Sequence, residues 1–386
     1  MAHSNTVFAQ LLKLIDRHDF QALLEGDYRP QRKYRSLSQW GQFTTMMFAQ
    51  ITGRASLRDI CDSLQTQAGR LYHLGINRVK KSTLADANNN RPANFYQAFF
   101  EKTYQRCSTI APGKKKFRFK NKLYSLDAST IDLCLSVFPW AKFRSTKGGV
   151  KLHTLLDHDG YIPRFASITD AKTSDLAFAR TLILPAGSIV AADRAYIDFA
   201  WLYKLNQRKS FLVTRLKSNI KYKVIERRPV LKSKGITSDQ TIILTGTKAH
   251  QCPIPLRRVG YKDPDTGKHY VFLTNNFHLA AKTIADIYKS RWEVELFFKW
   301  LKQNLKIKTF LGTSKNAVMT QIWIALITML LLCYMKFLAK LGKTITQIQR
   351  LLQLNLFKRQ NLWKVLEPPL MKQKIENNQK LLFNII

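Results

Sequence analysis

Three carboxylates stand out in a chain that carries 63 Lys+Arg against only 25 Asp+Glu. Asp127 follows the apolar run "LYSL", Asp193 follows "SIVAA", and Glu295 sits inside "IYKSRWEVELFFKWLK", Ile287 to Lys302. Two of the three stand where a buried strand should meet a loop, a common location for α/β sites. The third belongs to a helix. At about 100° per residue, Tyr288, Arg291, Glu295 and Lys302 fall within an arc of roughly 60°. Ile287, Val294, Phe298, Leu301 and Leu305 form an apolar stripe beside it. Carboxylates of this kind hold hard divalent cations such as Mg²⁺. Two such ions about 4 Å apart activate water and stabilise the leaving oxygen in phosphodiester chemistry. Each acid alone has a plainer role: Asp127 capping a turn, Asp193 opening a helix, Glu295 pairing with Arg291 or Lys299. Arg ahead of Glu by four residues is the less favourable order for helix support. Only the combination is specific.

The net charge of +38 over 386 residues repels itself and is best tolerated opposite a polyanion. With 45% hydrophobic residues the chain can bury a core of two to three domains and is not disordered. Five cysteines without a CxxC pair suggest neither a disulfide framework nor zinc, and point to a reducing cytoplasm. Eight histidines show no metal-ligand spacing; His153 and His158 read as strand and turn residues. The amino terminus lacks a secretory pattern, its apolar run being broken by Gln10 and Lys13, while Phe8, Leu11, Leu12 and Ile15 keep helical spacing. "AVMTQIWIALITMLLLCYM", Ala317 to Met335, is nearly long enough to span a bilayer. Thr320 and Gln321 dilute its start and no second span accompanies it, so a helix buried on all sides is expected.

These side chains must be positioned by the surrounding elements. Residues 1–110 read as helical. Ser56 and Asp59 give an S-x-x-D cap after Gly53, and a second capped helix opens at Ser82. The basic run "YRPQRKYR", with Arg29, Arg32, Lys33 and Arg35, lies ahead of two helices around a glycine turn. That arrangement suits either a helix-turn-helix-like DNA reader or a plain bundle with a basic face. After the basic linker "APGKKKFRFKNK", strand patterns take over in "LYSLDASTIDLCLSVF", "VKLHTLLD", "YIPRFASITD", "GSIVAADRAY" and "SFLVTRLK", as in a mixed α/β layer. Residues 217–280 read as a basic β insertion; between 201 and 285, Lys+Arg outnumber Asp+Glu by seventeen to four. The remainder is helical.

The spacing Tyr288-x2-Arg291-x3-Glu295-x6-Lys302 resembles the Y-R-E-K signature of the insertion-sequence-four family of DDE transposases. "DRAYID" around Asp193 and "LDAST" around Asp127 resemble that family's aspartate motifs, and "KGGVKLHTLLDHDGYIP" and the helical start are similar to it as well. Ala195 departs from the glycine the family often places after the Asp-Arg pair. The resemblance implies an α/β ribonuclease-H-like core at 111–216, completed by the Glu-bearing and buried helices of 281–340. It places the β-rich insertion at 217–280, a helical DNA-binding domain at 1–110 and a C-terminal helical tail at 341–386. It further implies Asp127, Asp193 and Glu295 as catalytic and metal-binding residues for two Mg²⁺ ions, with Mn²⁺ able to substitute. Tyr288, Arg291, Lys302 and neighbouring Trp292 would contact DNA, and the 29–35 run would select terminal inverted repeats. The expected activity is cut-and-paste transposition through a hairpin end into target DNA, by a homodimer in a synaptic complex in the bacterial cytoplasm, away from membranes. A related nuclease without strand transfer, a non-catalytic DNA-packaging protein and a membrane-associated protein are the rival readings.

Overall fold

The computed structural model describes residues 5–32, 34–113, 116–142, 145–230 and 232–367. Helices come first: α1 (Val7–Leu12), α2 (Arg17–Glu25), α3 (Gln39–Thr52), α4 (Leu57–Gln65), α5 (Lys81–Asn90) and α6 (Asn94–Thr109). Ser56 caps α4 by accepting the Asp59 N–H, as its spacing predicts. The expected cap at Ser82 is not used: α5 begins at Lys81 after Lys80, with no side-chain cap, so Ser82 lies inside the first turn. α3 is buried along nearly its whole length, and the exposed residues of α4 include one cation, Arg58, and one anion, Asp62.

The strands are β1 (Leu123–Leu133), β2 (Gly148–Asp157), β3 (Ile162–Asp170), β4 (Ile189–Ala192) and β5 (Phe211–Arg215), with α7 (Asp175–Thr181) before β4 and α8 (Phe199–Gln207) after it. β6 (Tyr222–Arg227), β7 (Ile236–Leu244), β8 (Leu256–Lys262) and β9 (His269–Thr274) follow. Among the described residues all nine form one sheet, ordered β3-β2-β1-β4-β5-β9-β8-β7-β6. β1, β4 and β5 run parallel, β2 and β3 antiparallel. That five-strand order, with helices on both faces, is the ribonuclease-H-like arrangement. Strands β6 to β9 fall within 217–280, and they extend the core sheet through the antiparallel β5–β9 pair. His153 is a strand residue and His158 a turn residue. In that turn Gly160 takes φ +77°, and a Cβ there would meet the Phe337 ring at 2.8 Å.

Successive side chains of a strand point to opposite faces, and the central strands are covered on both. Tyr124, Leu126, Val190, Ala192 and Leu212 pack beneath α7 and α8. Leu123, Ile189, Ala191 and Val213 pack beneath α9 (Ala281–Ser290). Farther along β1 to β3 the same side meets α10 (Trp292–Asn304) and α11 (Lys315–Leu338). α11 is the long apolar helix. Its length and composition would allow a membrane crossing, but 89% of its apolar window is buried in the fold, against α6, α3, α5 and α12 (Ile345–Asn355). The last helix of the described residues is α13 (Leu362–Leu366), and the backbones of Val7 and Phe8 bond Lys358 and Leu356 at 3.0 and 2.8 Å.

Candidate active site

The register of β1 and β4 pairs Leu126 with Ala192, so Asp127 and Asp193 come next in step on adjacent parallel strands. Both share the face of Leu123, Ile189 and Ala191, turned toward α9 and α10. Asp193 stands at a strand end, as expected. Asp127 does not: it lies within β1, which continues to Leu133 alongside β2. The exposed edge arises because β4 stops at Ala192 while β1 runs on. Asp127 Oδ1 accepts the Ala128 N–H at 2.8 Å, and Asp193 Oδ1 accepts the Ala195 N–H at 3.0 Å, opening a 3-10 turn at Arg194–Tyr196. Ala195 is not among the positive-φ residues, so alanine forms this turn without strain.

The helix expected over Ile287–Lys302 breaks at Arg291. Ser290 Oγ donates to Ile287 O at 2.7 Å, and the Arg291 N–H turns to Tyr288 O at 3.1 Å. A serine hydroxyl that takes a helix carbonyl competes with the main-chain ladder, and here α9 ends and α10 begins. Tyr288 therefore belongs to α9, whereas Glu295 and Lys302 belong to α10. At the junction, Arg291 Nη2 lies 2.6 Å from Glu295 Oε1 and Nη1 lies 3.5 Å from Asp127 Oδ2. Burial pushes the Asp127 carboxyl up to about 6; its own backbone bond and Arg291 pull it back, while Glu295 and Asp193 push it further. Glu295 and Asp193 thus both act on Asp127 through space.

Lys302 Nζ donates to Thr130 O at 2.8 Å and ties α10 to β1, with burial pulling its ammonium below the usual lysine range. The Tyr288 ring lies 5.0 Å from Phe272 and 5.8 Å from the Arg291 guanidinium, and burial raises its phenol. Trp292 is 56% exposed beside them. Arg29, Arg32 and Arg35 are exposed in the α2–α3 loop, where Arg29, Arg32, Tyr34 and Arg35 line an open groove of about 1580 Å³; Lys33 lies outside the described residues. Two site residues escaped the sequence reading. Tyr196, in the turn after Asp193, packs beneath α7 and α8 and buries a hydroxyl with no hydrogen-bond partner among the described residues; burial raises its phenol, with Asp175 and then Asp127 and Asp193 adding to it. Arg215 ends β5 as Asp193 follows β4, and "SFLVT" before it is the same kind of signal as "SIVAA".

Among the described residues no three His, Cys, Asp or Glu side chains converge closely enough to clasp an ion, since Arg291 stands between Asp127 and Glu295. The donor chemistry nonetheless fits one. The three groups are hard carboxylate oxygens, and the burial that raises Asp127, with the Glu295 and Asp193 charges adding to it, is what a cation would offset.

Residues 118–331 match the transposase DDE domain, and residues 3–77 match a domain of unknown function (DUF4372). A putative transposase of Sinorhizobium fredii is 33% identical over 290 residues, covering 74% of this chain and 80% of that one. A probable transposase for insertion sequence element IS5377 of Geobacillus stearothermophilus is 30% identical over 266 residues, covering 68% and 69%. The cryo-EM structure of a piggyBac transposase synaptic complex with hairpin DNA aligns over 95% of this chain and 81% of its own, at 12% identity and a TM-score of 0.44. The chain belongs to the DDE transposase family, enzymes that depend on a divalent metal to cleave DNA and transfer its strands.

Proposed function

We propose that the protein is the transposase of an insertion sequence of the insertion-sequence-four type, with Asp127, Asp193 and Glu295 as its catalytic triad. One observation carries this reading: two aspartates one strand apart on one sheet face, with Glu295 joined to Asp127 through Arg291. The triad would hold two Mg²⁺ ions, or Mn²⁺, which when bound activate a water or a 3′-OH and stabilise the leaving oxygen. The remaining work falls to side chains. Arg291 holds Asp127 and Glu295 in place and can turn to a phosphate as its carboxylate partners are engaged. Lys302 fixes the height of α10 over β1. Tyr288 and exposed Trp292 offer aromatic surface to a base extruded at a hairpin, where stacking contributes about 1–3 kcal/mol per base. Arg29, Arg32, Lys33 and Arg35 supply phosphate contacts for the terminal inverted repeats, and two chains bridge two ends in the bacterial cytoplasm.

The test is a time course on a labelled repeat end with target DNA and Mg²⁺ or Mn²⁺. Nicked, hairpin, reopened and joined products should appear in that order. Glu295→Gln should abolish all of them while still shifting the DNA. Nicks without joined product would make the chain a nuclease. Full nicking by Glu295→Gln would remove that residue from the triad.

A further inference from the structure

The row of site residues does not stop at Asp193. β4 and β5 pair Ala191 with Val213, so Arg215 stands in step with Asp193 on the next strand and on the same face. Adjacent strands are about 4.8 Å apart; Asp127, Asp193 and Arg215 therefore sit at successive steps of one line. The next member is Phe272 on β9, the register partner of Arg215 and the ring against which Tyr288 packs. Arg215 is half-buried and has no ion-pair partner among the described residues. Its guanidinium instead lies 5.1 Å over the ring of Tyr270, which stands parallel to Phe272 at 6.2 Å. A guanidinium held by a ring keeps its N–H fork free for an oxyanion, whereas one buried against a carboxylate does not.

We infer that Arg215, oriented by Tyr270, is a phosphate seat for the DNA strand on the insertion side of the cut. The inference rests on the triad reading, because proximity to Asp193 is what places the seat about one or two phosphates from the scissile one. The Tyr270 ring is a positioning group; only Arg215 touches DNA. Unlike Arg291, it would contact its phosphate without giving up a carboxylate. This also accounts for the insertion continuing the core sheet: a separate lobe would not hold β9 in register with the row.

The experiment uses the full chain carrying Glu295→Gln, to hold DNA uncut, and repeat ends in which one phosphate at a time is a neutral methylphosphonate. With Arg215 present, neutralising one phosphate beside the cut should weaken binding about tenfold. Arg215→Ala should lose sensitivity at that phosphate alone, with the salt dependence of log K reduced by about 0.7–0.9 for one lost contact. Tyr270→Phe should behave as the parent and Tyr270→Ala should blunt the effect. Unaltered sensitivity in Arg215→Ala, or an affected phosphate far from the cut, would overturn the seat. Equal losses in Tyr270→Phe and Tyr270→Ala would overturn the role of the ring. Nicking by the Glu295→Gln chain would instead overturn the triad and leave the phosphate result to stand by itself.

Discussion

The Arg291 guanidinium stands 3.5 Å from the Asp127 carboxylate, joining the junction of two helices to the strand beneath them. Its other arm holds Glu295, and its side chain is only 13% exposed. A cation so placed is part of the site's electrostatic frame before it is a DNA contact. Arg291→Ala should therefore cost the first nick about 10²–10³-fold, comparable with losing one preorganised charge contact at a reacting centre. Tyr288→Ala and Trp292→Ala should spare the first nick and slow hairpin formation and opening. Product-resolved time courses on a labelled end distinguish the two patterns. Equal loss at every step for all three would reduce the aromatics to scaffold.

Asp127→Asn, Asp193→Asn and Glu295→Gln should each abolish cleavage and leave binding within a few-fold of the parent, since none of them alters the basic surface. Gel shift and nicking measured on the same preparation decide it. Should one variant cleave at full rate with Mn²⁺ present, its residue is not a ligand.

Residues 1–110 should not behave as an independent domain. Phe100 meets Trp323 at 5.4 Å, the Asn316 amide bonds the Asn88 and Arg91 carbonyls at 2.8 and 2.6 Å, and α6 lies along α11. A fragment ending at Ile110 would expose this apolar face, and large exposed patches of that kind drive association. Aggregation or a flat thermal melt is expected. A monomeric fragment with a cooperative transition would show that the helical layer folds alone.

The fold was legible wherever the local pattern carried the decision. Alternation gave β1, uniform apolarity gave buried α11, and turn signals separated the later insertion strands. The site was legible as residue types: Asp193 after "SIVAA" stands at a strand end. What could not be read is set by long-range pairing. That Asp127 lies mid-strand depends on β4 being shorter than β1, which no property of "LYSLDAST" states. The break at Arg291 depends on where one serine hydroxyl points. Arg215 was missed because a cation after an apolar strand, in a chain with 63 of them, carries no contrast until its register with Asp193 is known.

His153 offers a pH-dependent test of the core. Its ring is fully buried, with Nε2 2.9 Å from Thr169 Oγ1 and a face stacked 4.6 Å from Phe178. Burial pulls its pKa down to about 4; Asp175, 3.7 Å from Nδ1, opposes this, and Lys151 adds to it. The unfolded chain binds a proton near 6.5 that the native state refuses until about 4. Stability is therefore full above pH 6.5 and falls as pH drops toward 4, by about 2–3 kcal/mol. Urea unfolding across pH 4.5–7.5 should show this slope, and His153→Gln should flatten it. An identical slope in the variant would assign the effect to other groups.

Arg257 links the insertion to the site helix. Its Nε and Nη2 donate to both Asp239 oxygens at 2.9 and 2.7 Å, and its Nη1 reaches the carbonyls of Asn276 and Leu279 at 3.2 and 2.6 Å. Both side chains are nearly inaccessible, at 4% and 7%. The pair joins β7 and β8 to the segment that launches α9, and α9 leads into Arg291. Asp239→Ala would strand a buried guanidinium, which costs about 3–5 kcal/mol when one partner is removed. Asp239→Asn keeps an acceptor and should cost less. Because the guanidinium that Asp239 orients also holds the carbonyls just ahead of α9, Asp239→Ala should also reduce nicking at temperatures where the protein stays folded, while DNA affinity holds. Urea midpoints and nicking rates measured on the same protein test both halves. A loss of stability without a loss of rate would confine Arg257 to the sheet, and the path from insertion to site would then run through Phe272 and Tyr288 alone.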